Sequence, residues 1–491
     1  MKTKDGLRKT ASAVTLSVSI AMAAAPIPAF AQDAIDLSKW SPDYVKSIAG
    51  TAKFDTVGEC SKVTPTDYKG RVTYWYTGPQ DSDPEIVRTI DTQFWEAFKA
   101  AYPNITVDVQ NIAYNDLLDK FRTALLGNAG PMVVRLQILG GVEFGAKGYL
   151  QPLKPEDVGY KTTDFWPGAM KSVTYDSATY GIPTNNETMA FIYNAKIFKD
   201  AGLDPENPPA TWDDVVKDSK IIKDKLGIAG YGLVAKQNAG NTPFRFMPEV
   251  WAMGGAALVE NTDAPTYKKV GLNSPGTKAA LQAAYDMYVR DQSVPVSALT
   301  NTQAENQSPF IAGQLAMMIA HPSEYAKMVD LASKATGADK AVADEVVANM
   351  RYGLIPKGTD RRAVVFGGSN IHVVKNEYVD GGLDEAAAKA LICMWTSPEW
   401  STKLAWVSSN PGNLRGFQTE WMKERLEKIK FLDVTTSMLP NGIPFPVIPE
   451  APEIMNIIVP DMLQNALTGK MTVDEAAEDA AKKVQALLDG M

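Results

Sequence analysis

The chain has 491 residues, of which 45% are hydrophobic, and it carries 49 basic and 57 acidic side chains. Because single hydrophobic cores stop growing at about 250–300 residues, this length predicts two or more lobes, and the apolar content argues against global disorder. The net charge of −8 does not suit a nucleic-acid-binding protein, which needs clustered Lys and Arg. Two His and two Cys supply few ligands for zinc or iron–sulfur centres, so we expect no metal and no cofactor.

The first 31 residues have the pattern of a signal peptide. Basic residues begin the segment, small apolar residues fill positions 11–25, and Ala29-Phe30-Ala31 fits the small-x-small cleavage rule. A membrane anchor is the alternative, but the apolar run is shorter than the ~20 residues of a spanning helix and Pro26 follows it. Cleavage after Ala31 would place the protein in the periplasm and change its net charge to about −11.

Export bears on the two cysteines, because disulfides persist outside the reducing cytoplasm. Cys60 lies in a polar segment, whereas Cys393 lies in the apolar helical stretch 386–395. Buried cysteine is common whatever its redox context, so we favour two unpaired thiols. The sequence leaves a disulfide between them open.

Strands and helices alternate from residue 70 onward. Residues 32–69 are polar and without a clear period, which indicates a loosely packed N-terminal extension. The elements predicted next are a strand at 71–76, a helix at 86–102, a strand at 105–109, a helix at 117–125 and a strand at 132–136. This alternation predicts an α/β fold with mixed sheets covered by helices.

Later helices are marked by N-terminal caps. Thr211, Ser397 and Thr472 each stand at the start of a helical pattern, as residues whose side-chain oxygen can accept from the first turn. The polar segment 301–307 is predicted as a loop.

Several chemistries lack their motifs. Gly367-Gly368-Ser369 is not followed by the second glycine of a nucleophile elbow, and no phosphate-binding loop is present. A glycosidase needs only two carboxylates across a cleft, so that enzyme class stays open.

Four segments resemble the extracellular solute-binding proteins of carbohydrate ABC transporters (family 1, maltose-binding-protein-like). The first, at 180–212, reads YGIPTNNETMAFIYNAKIFKDAGLDPENPPATW. The others are FIAGQLAMMI at 310–319, the Gly-Gly strand within 362–374 and the helix at 391–400 that ends in TSPE. They occur in the family's order, and the match covers most of residues 70–490.

The resemblance implies the class II periplasmic-binding-protein fold: two α/β lobes, each a mixed sheet flanked by helices, with the ligand cleft between them. The expected boundaries are 70–183 plus about 308–370 for lobe 1 and 184–307 plus about 371–491 for lobe 2. The implied function is capture of a sugar or oligosaccharide by hinge closure and its delivery to ABC permease subunits in the inner membrane. We expect a monomer without catalysis or nucleic-acid binding. The alternatives are a secreted glycosidase and a binder of a sugar acid, polyol or other non-sugar solute.

Candidate ligand-binding residues follow the first strands and occupy the predicted crossing. Open α/β sheets bind ligands at the carboxyl ends of their strands. That rule selects Trp75, Thr77, Gln80, Arg135 and Gln137, although Trp75 also suits a core position. The resemblance adds the crossing residues Asn185, Asn186 and Glu187, with Glu187 where the family often places a hydroxyl-accepting carboxylate.

The remaining candidates come from later segments of the resemblance. Phe244, Arg245 and Trp251 lie in a region that supplies aromatic stacking in similar proteins. After residue 319 the family commonly continues with Gly-x-Trp, and this chain instead offers His321 and Glu324 as polar contacts. Two more groups complete the set, namely the open backbone at Gly367, Gly368 and Ser369, and Arg415.

Three arginines suggest a hypothesis about the ligand. Arg135, Arg245 and Arg415 are all cleft candidates, and guanidinium groups bind carboxylates and phosphates bidentately. An acidic ligand is therefore one expectation from the sequence.

Overall fold

The structure, a computed structural model, describes residues 35–80, 83–114, 116–138, 140–260, 267–406 and 409–490. The predicted signal peptide, residues 1–31, lies outside this part of the chain. The strands are β1 Gly70–Tyr76, β2 Ile105–Asn111, β3 Val133–Gln137, β4 Thr174–Tyr175, β5 Ala178–Thr179, β6 Ile182–Glu187, β7 Ala190–Asn194, β8 Ala229–Tyr231, β9 Leu258–Glu260, β10 Tyr267–Val270, β11 Leu315–Ala320, β12 Met350–Gly353, β13 Val364–Val365, β14 Gly367–Val373, β15 Asn410–Pro411 and β16 Gly442–Ile443.

The α-helices are distributed along the whole described chain. They are α1 Pro42–Ile48, α2 Thr56–Cys60, α3 Glu85–Ala101, α4 Leu117–Leu126, α5 Gly140–Ala146, α6 Pro167–Lys171, α7 Ala195–Asp200, α8 Trp212–Leu226, α9 Asn241–Ala252, α10 Pro275–Tyr285, α11 Gln303–Ile311, α12 Pro322–Lys334, α13 Gly337–Asn349, α14 Glu385–Trp395, α15 Pro398–Leu404, α16 Glu420–Lys428, α17 Leu432–Ser437, α18 Ala451–Glu453, α19 Val459–Leu467 and α20 Val473–Asp489. The predicted caps Thr211, Ser397 and Thr472 each accept a backbone N–H of the first turn. The loop predicted at 301–307 is wrong, because α11 begins at Gln303 behind a capping box of Thr302 and Glu305.

The first sheet has six strands in the order β15-β6-β14-β3-β1-β2. β1 pairs in parallel with β2 and β3, as the βαβ pattern predicts. β14 runs antiparallel to both β3 and β6, so the sheet is mixed. Its core includes Val72, Phe94, Phe121 and Val133, and α14 packs on β1.

The second sheet has four strands in the order β12-β7-β11-β8. Every residue of β7 and β11 is buried, as expected for strands covered on both faces. A separate core, which includes Phe191, Trp212, Met317 and Leu463, packs around it. Each sheet therefore has its own core, which fits the predicted two lobes.

The expected lobe boundaries differ from the observed strand pairing. Lobe 1 was expected to contain about 308–370, yet β11 and β12 both pair with β7 in the second sheet. Lobe 2 was expected to contain about 371–491, yet β14 and β15 both pair with β6 in the first sheet. The local pattern of a strand does not state which sheet it joins, because pairing is set by distant partners.

The two cysteines form a disulfide, so the expectation of unpaired thiols is wrong. Cys60 and Cys393 are bonded, with their Cα atoms 5.7 Å apart, and both are fully buried. The bond joins the end of α2 to the last turn of α14, across 333 positions of sequence. The sequence showed each cysteine in its own segment but not that the two segments pack together.

The N-terminal extension is packed rather than loose. Trp40 makes edge contacts with Trp166 and Phe417, at centroid distances of 4.9 and 4.8 Å. The Trp40 indole also donates to the Thr436 carbonyl oxygen at 3.0 Å. Within the described ranges, no helix combines the length and the apolar character that crossing a membrane requires.

Candidate ligand-binding cleft

A cleft of about 970 Å³ is lined by residues from both sheets and their helices. One wall is defined by the segments that follow β1 and β3, a second wall by α9 and the start of α12, and a third part of the lining, called the floor, by β6 and β14. The carboxyl ends of parallel strands thus meet the cleft, as open α/β sheets predict. The volume falls in the usual range of small-molecule sites, about 300–1,000 Å³.

Twelve of the sequence-predicted residues line this cleft. They are Thr77, Gln80, Arg135, Gln137, Asn185, Glu187, Phe244, Arg245, His321, Glu324, Gly368 and Ser369. Their binding role stays a prediction, but the fold brings together residues that are up to 292 positions apart in sequence.

Two predicted aromatic contacts are core residues instead. Trp75 is 8% exposed, belongs to the first core, and lies 5.0 Å from the Lys120 ammonium group, which covers its ring. Trp251 is 6% exposed and packs against Phe445 in the second core. Packing these rings buries large apolar surfaces, which is the commoner role of a tryptophan in a folded domain.

Three further predicted contacts lie outside the cleft lining. The Asn186 side-chain amide is buried and donates to the Pro411 carbonyl oxygen at 2.8 Å, which fastens β15 to β6. Gly367 is not part of the lining but borders it, since a Cβ there would be 3.3 Å from the Glu187 Cβ. Arg415 pairs with Glu59 of the extension, with a distance of 3.2 Å between Nη2 and Oε1.

A hydrogen-bonded network joins the crossing strands to the first wall. Arg135 donates from Nε to the Thr184 hydroxyl at 2.9 Å and from Nη2 to the Asn185 side-chain oxygen at 2.8 Å. That oxygen also accepts from the Ser369 backbone N–H, at 3.1 Å. The Asn185 amide nitrogen donates to Glu187 Oε1 at 3.3 Å, and burial raises the pKa of the Glu187 carboxyl while the Arg135 charge opposes that shift.

The second wall holds a buried ion pair. Arg245 on α9 and Glu324 on α12 are 5% and 2% exposed, and Arg245 Nη2 lies 3.1 Å from Glu324 Oε1. Among the described residues, Arg245 Nε and Glu324 Oε2 have no hydrogen-bond partner. Burial raises the pKa of the Glu324 carboxyl, and the Arg245 charge opposes this.

His321 is neutral beside this pair. Burial, together with the nearby Arg245 charge, lowers the pKa of the His321 imidazole to about 3. Its Nδ1 lies 3.3 Å from the Thr188 carbonyl oxygen. A neutral ring can both donate and accept, as a contact to a hydroxyl group requires.

The sequence profile described as bacterial extracellular solute-binding protein matches residues 83–402. The chain belongs to this family. The resemblance read from the sequence is thereby confirmed. Members of the family deliver small solutes to ABC transporters.

Similar proteins agree with this membership. A binding protein of Brucella abortus (strain 2308) is 27% identical over 405 residues, which is 80% of this chain and 88% of that protein. The sn-glycerol-3-phosphate-binding periplasmic protein UgpB of Pectobacterium atrosepticum is 24% identical, over 74% of this chain and 79% of that protein. A solved solute-binding protein of Thermotoga lettingae, bound with α-D-tagatose, has a TM-score of 0.66 and 24% identity, covering 86% of this chain and 100% of that chain. The likeness to such two-lobed proteins confirms the predicted fold class.

Sequence reasoning missed most of the aromatic lining of this family member's cleft. Five aromatic side chains line it among the described residues: Tyr76, Tyr114, Phe244, Trp395 and Trp406. Tyr114 follows β2, so the strand-end rule that selected Thr77 also points to it. Trp395 ends α14 directly before the TSPE motif, where its position gave no sign of an exposed face.

The charged side chains of the cleft are matched in number. Among its described lining residues the carboxyl groups belong to Asp83, Asp91, Glu187 and Glu324. The cationic groups belong to Arg135, Arg245, Lys327 and Lys403. No cluster of three or more His, Cys, Asp or Glu in the described ranges is arranged to hold a metal ion.

Proposed function

We propose that this protein is a periplasmic carbohydrate-binding protein that captures a sugar or oligosaccharide by hinge closure and presents it to the permease of an ABC importer. The observation that carries the proposal is the lining of the cleft, which combines amide, carboxylate and guanidinium groups with aromatic rings. Sugar hydroxyls need both donors and acceptors, and the C–H faces of a sugar ring suit aromatic surfaces. The tagatose complex of the Thermotoga lettingae protein supports a sugar as the ligand.

Closure would act across β6 and β14, which lie at the floor of the cleft. The two strands pair from Gly367 opposite Glu187 to Ile371 opposite Ile182, and the chain passes from β6 into β7 of the second sheet. A rotation about these strands would bring the Arg245 wall toward the Arg135 wall. Contacts made only in the closed state would then supply the affinity.

Thermal-shift screening of mono- and oligosaccharides, sugar acids and polyols tests the proposal, followed by titration calorimetry of the compounds that stabilise. A ligand at 100 times its dissociation constant stabilises the folded state by about 2.7 kcal/mol. Glu187→Gln should weaken the binding of a sugar found in this way, whereas Glu59→Gln, in the ion pair outside the cleft, should not. If no sugar or polyol stabilises the protein, the proposed function is wrong.

A secreted glycosidase is the enzyme alternative. The three similar proteins named above are binding proteins, which favours binding without catalysis. Incubating concentrated protein with oligosaccharides and assaying free reducing sugar separates the two. Release of reducing sugar at catalytic rates, lost in Glu187→Gln, would establish the enzyme instead.

The UgpB relative favours a second candidate ligand. It is named for sn-glycerol 3-phosphate, which is an anion, whereas tagatose is neutral. The charge of the ligand therefore has to be argued from the cleft of this chain.

A further inference from the structure

The Arg245–Glu324 pair is placed where it can act on the charge of a ligand. Arg245 lies on α9 and Glu324 in the first turn of α12, so two separate helices of one wall converge on the pair. Both residues line the cleft, and both are at least nine-tenths buried. Electrostatic interactions are stronger in such a water-poor setting than at an exposed surface.

The pair is incomplete by itself. Only Arg245 Nη2 and Glu324 Oε1 meet, at 3.1 Å, and the described part of the chain offers no partner to Arg245 Nε or Glu324 Oε2. Buried polar atoms without partners are costly, and each one in a native protein calls for an explanation. Both atoms are almost fully covered in this structure, so a ligand would reach them only after the surrounding groups move. The pair would then offer one donor atom and one acceptor atom, which match two hydroxyl groups because a hydroxyl can serve either role.

An anionic ligand would meet no excess of positive charge in this cleft. The Arg135 guanidinium already donates to Thr184 and Asn185, and the Arg245 guanidinium is matched by Glu324. In their ionised forms Glu187 and Glu324, which face the same cleft, would repel a phosphate or carboxylate. Counted as ionised, the four carboxyl and four cationic groups of the described lining leave no excess of cations for an anion.

We propose that the Arg245–Glu324 pair sets the charge selectivity of the cleft, admitting neutral polyhydroxylated solutes and disfavouring phosphorylated or carboxylated ones. This inference rests on the proposed function as a solute-binding cleft. It distinguishes this chain from the glycerol-phosphate specificity for which its UgpB relative is named.

The test measures affinities for matched neutral and anionic probes by titration calorimetry. The neutral panel contains glucose, maltose, trehalose, tagatose and glycerol, and the anionic panel contains glucose 6-phosphate, glucuronate, trehalose 6-phosphate and sn-glycerol 3-phosphate. Three variants change the charge of the wall: Glu324→Gln by +1, Arg245→Gln by −1, and the double variant by zero. Glu59→Gln, which removes a carboxylate from the Arg415 pair outside the cleft, is the matched control.

In the natural protein the tightest probe should be neutral. Glu324→Gln should shift the ratio of anionic to neutral affinity toward the anion by about 10- to 100-fold, because one charge is left uncompensated within a few ångströms. Arg245→Gln should shift that ratio the opposite way, and the double variant should leave the ratio nearly unchanged while weakening neutral probes. A cooperative denaturation transition of each variant confirms that it is folded. If one single variant does not fold, the double variant still tests the inference, because its ratio of anionic to neutral affinity should stay nearly unchanged.

Each result decides one point. If an anion is the tightest probe of the natural protein, the inference is overturned while the proposed binding function stands. If the ratio fails to follow the sign of the charge, or moves equally in Glu59→Gln, the pair has no selective role. If neither panel binds, the proposed function itself fails.

Discussion

Replacement of Gly368 by alanine tests whether the close approach of the two crossing strands is needed for binding. Gly368 has φ of +134°, and a Cβ there would lie 2.2 Å from the Asn185 carbonyl oxygen and 3.1 Å from its carbonyl carbon. Both atoms belong to the backbone of β6, so no side-chain rotation relieves the contact. Gly368→Ala must therefore adopt a strained backbone and also push β14 away from β6.

The expected loss of unfolding free energy is about 2–4 kcal/mol, since the strained backbone alone costs about 1–3 kcal/mol. Gly469→Ala is the control, because its φ is +70° and nothing lies within 4 Å of the added Cβ. That control isolates the conformational cost, about 1–2 kcal/mol. Urea denaturation of both variants gives the comparison, and calorimetry with a bound sugar gives the affinity. Equal losses in stability would refute the argument from close approach, and an unchanged affinity in Gly368→Ala would remove the crossing from the binding mechanism.

Three other changes have expected outcomes. Burial and the nearby Asp213 charge raise the pKa of Glu249 to about 8, so the contribution of this carboxyl group to stability falls as pH rises from 4.5 to 8. The unfolding free energy of Glu249→Gln, relative to that of the natural chain, should therefore rise by about 4 kcal/mol between pH 4.5 and 7.5, as measured by urea denaturation. Parallel pH profiles of the two proteins would contradict this. Burial lowers the pKa of His372 to about 4, so this ring alone takes away about 1.4 kcal/mol of stability per unit as pH drops from 6.5 toward 4. His372→Gln should change the slope of stability against pH by that amount, and an unchanged slope would exclude a contribution from the ring. Joint replacement of Cys60 and Cys393 by serine should cost about 2–4 kcal/mol of unfolding free energy, and equal midpoints for the natural chain with and without reductant would show that the bond does not stabilise.

Local patterns carried the prediction of the first sheet. The β-branched and aromatic run at 71–76 and the apolar spacing at 86–102 correspond to β1 Gly70–Tyr76 and α3 Glu85–Ala101. These elements depend on neighbours within a few residues of each other, so periodicity reveals them. The assignment of β11 and β14 to lobes failed because their partners lie far away in sequence.

The aromatic residues show the same limit at the level of the cleft. Trp75 and Trp251 are core residues outside the cleft lining, whereas Trp395 and Trp406 line the cleft although each is less than a tenth exposed, and Trp395 also belongs to the first core. A tryptophan suits a core and a sugar-binding wall equally well, so its residue type decides nothing. Which tryptophan lines the cleft depends on the packing of segments that are distant in sequence.

The partners of three arginines determine which ligand charge the cleft favours. The sequence made Arg135, Arg245 and Arg415 candidates for the cleft and raised the hypothesis of an acidic ligand, because the sequence alone does not show what each arginine pairs with. In the folded chain Arg415 binds Glu59 of the extension, Arg245 binds Glu324, and Arg135 donates to the crossing strand. A guanidinium that is already matched orients the groups around it and adds little attraction for an anion, since an incoming phosphate would first have to displace its partner. The charge that a ligand meets is therefore set by these pairings rather than by the number of arginines, and that is why we expect a neutral sugar and not an acid to bind.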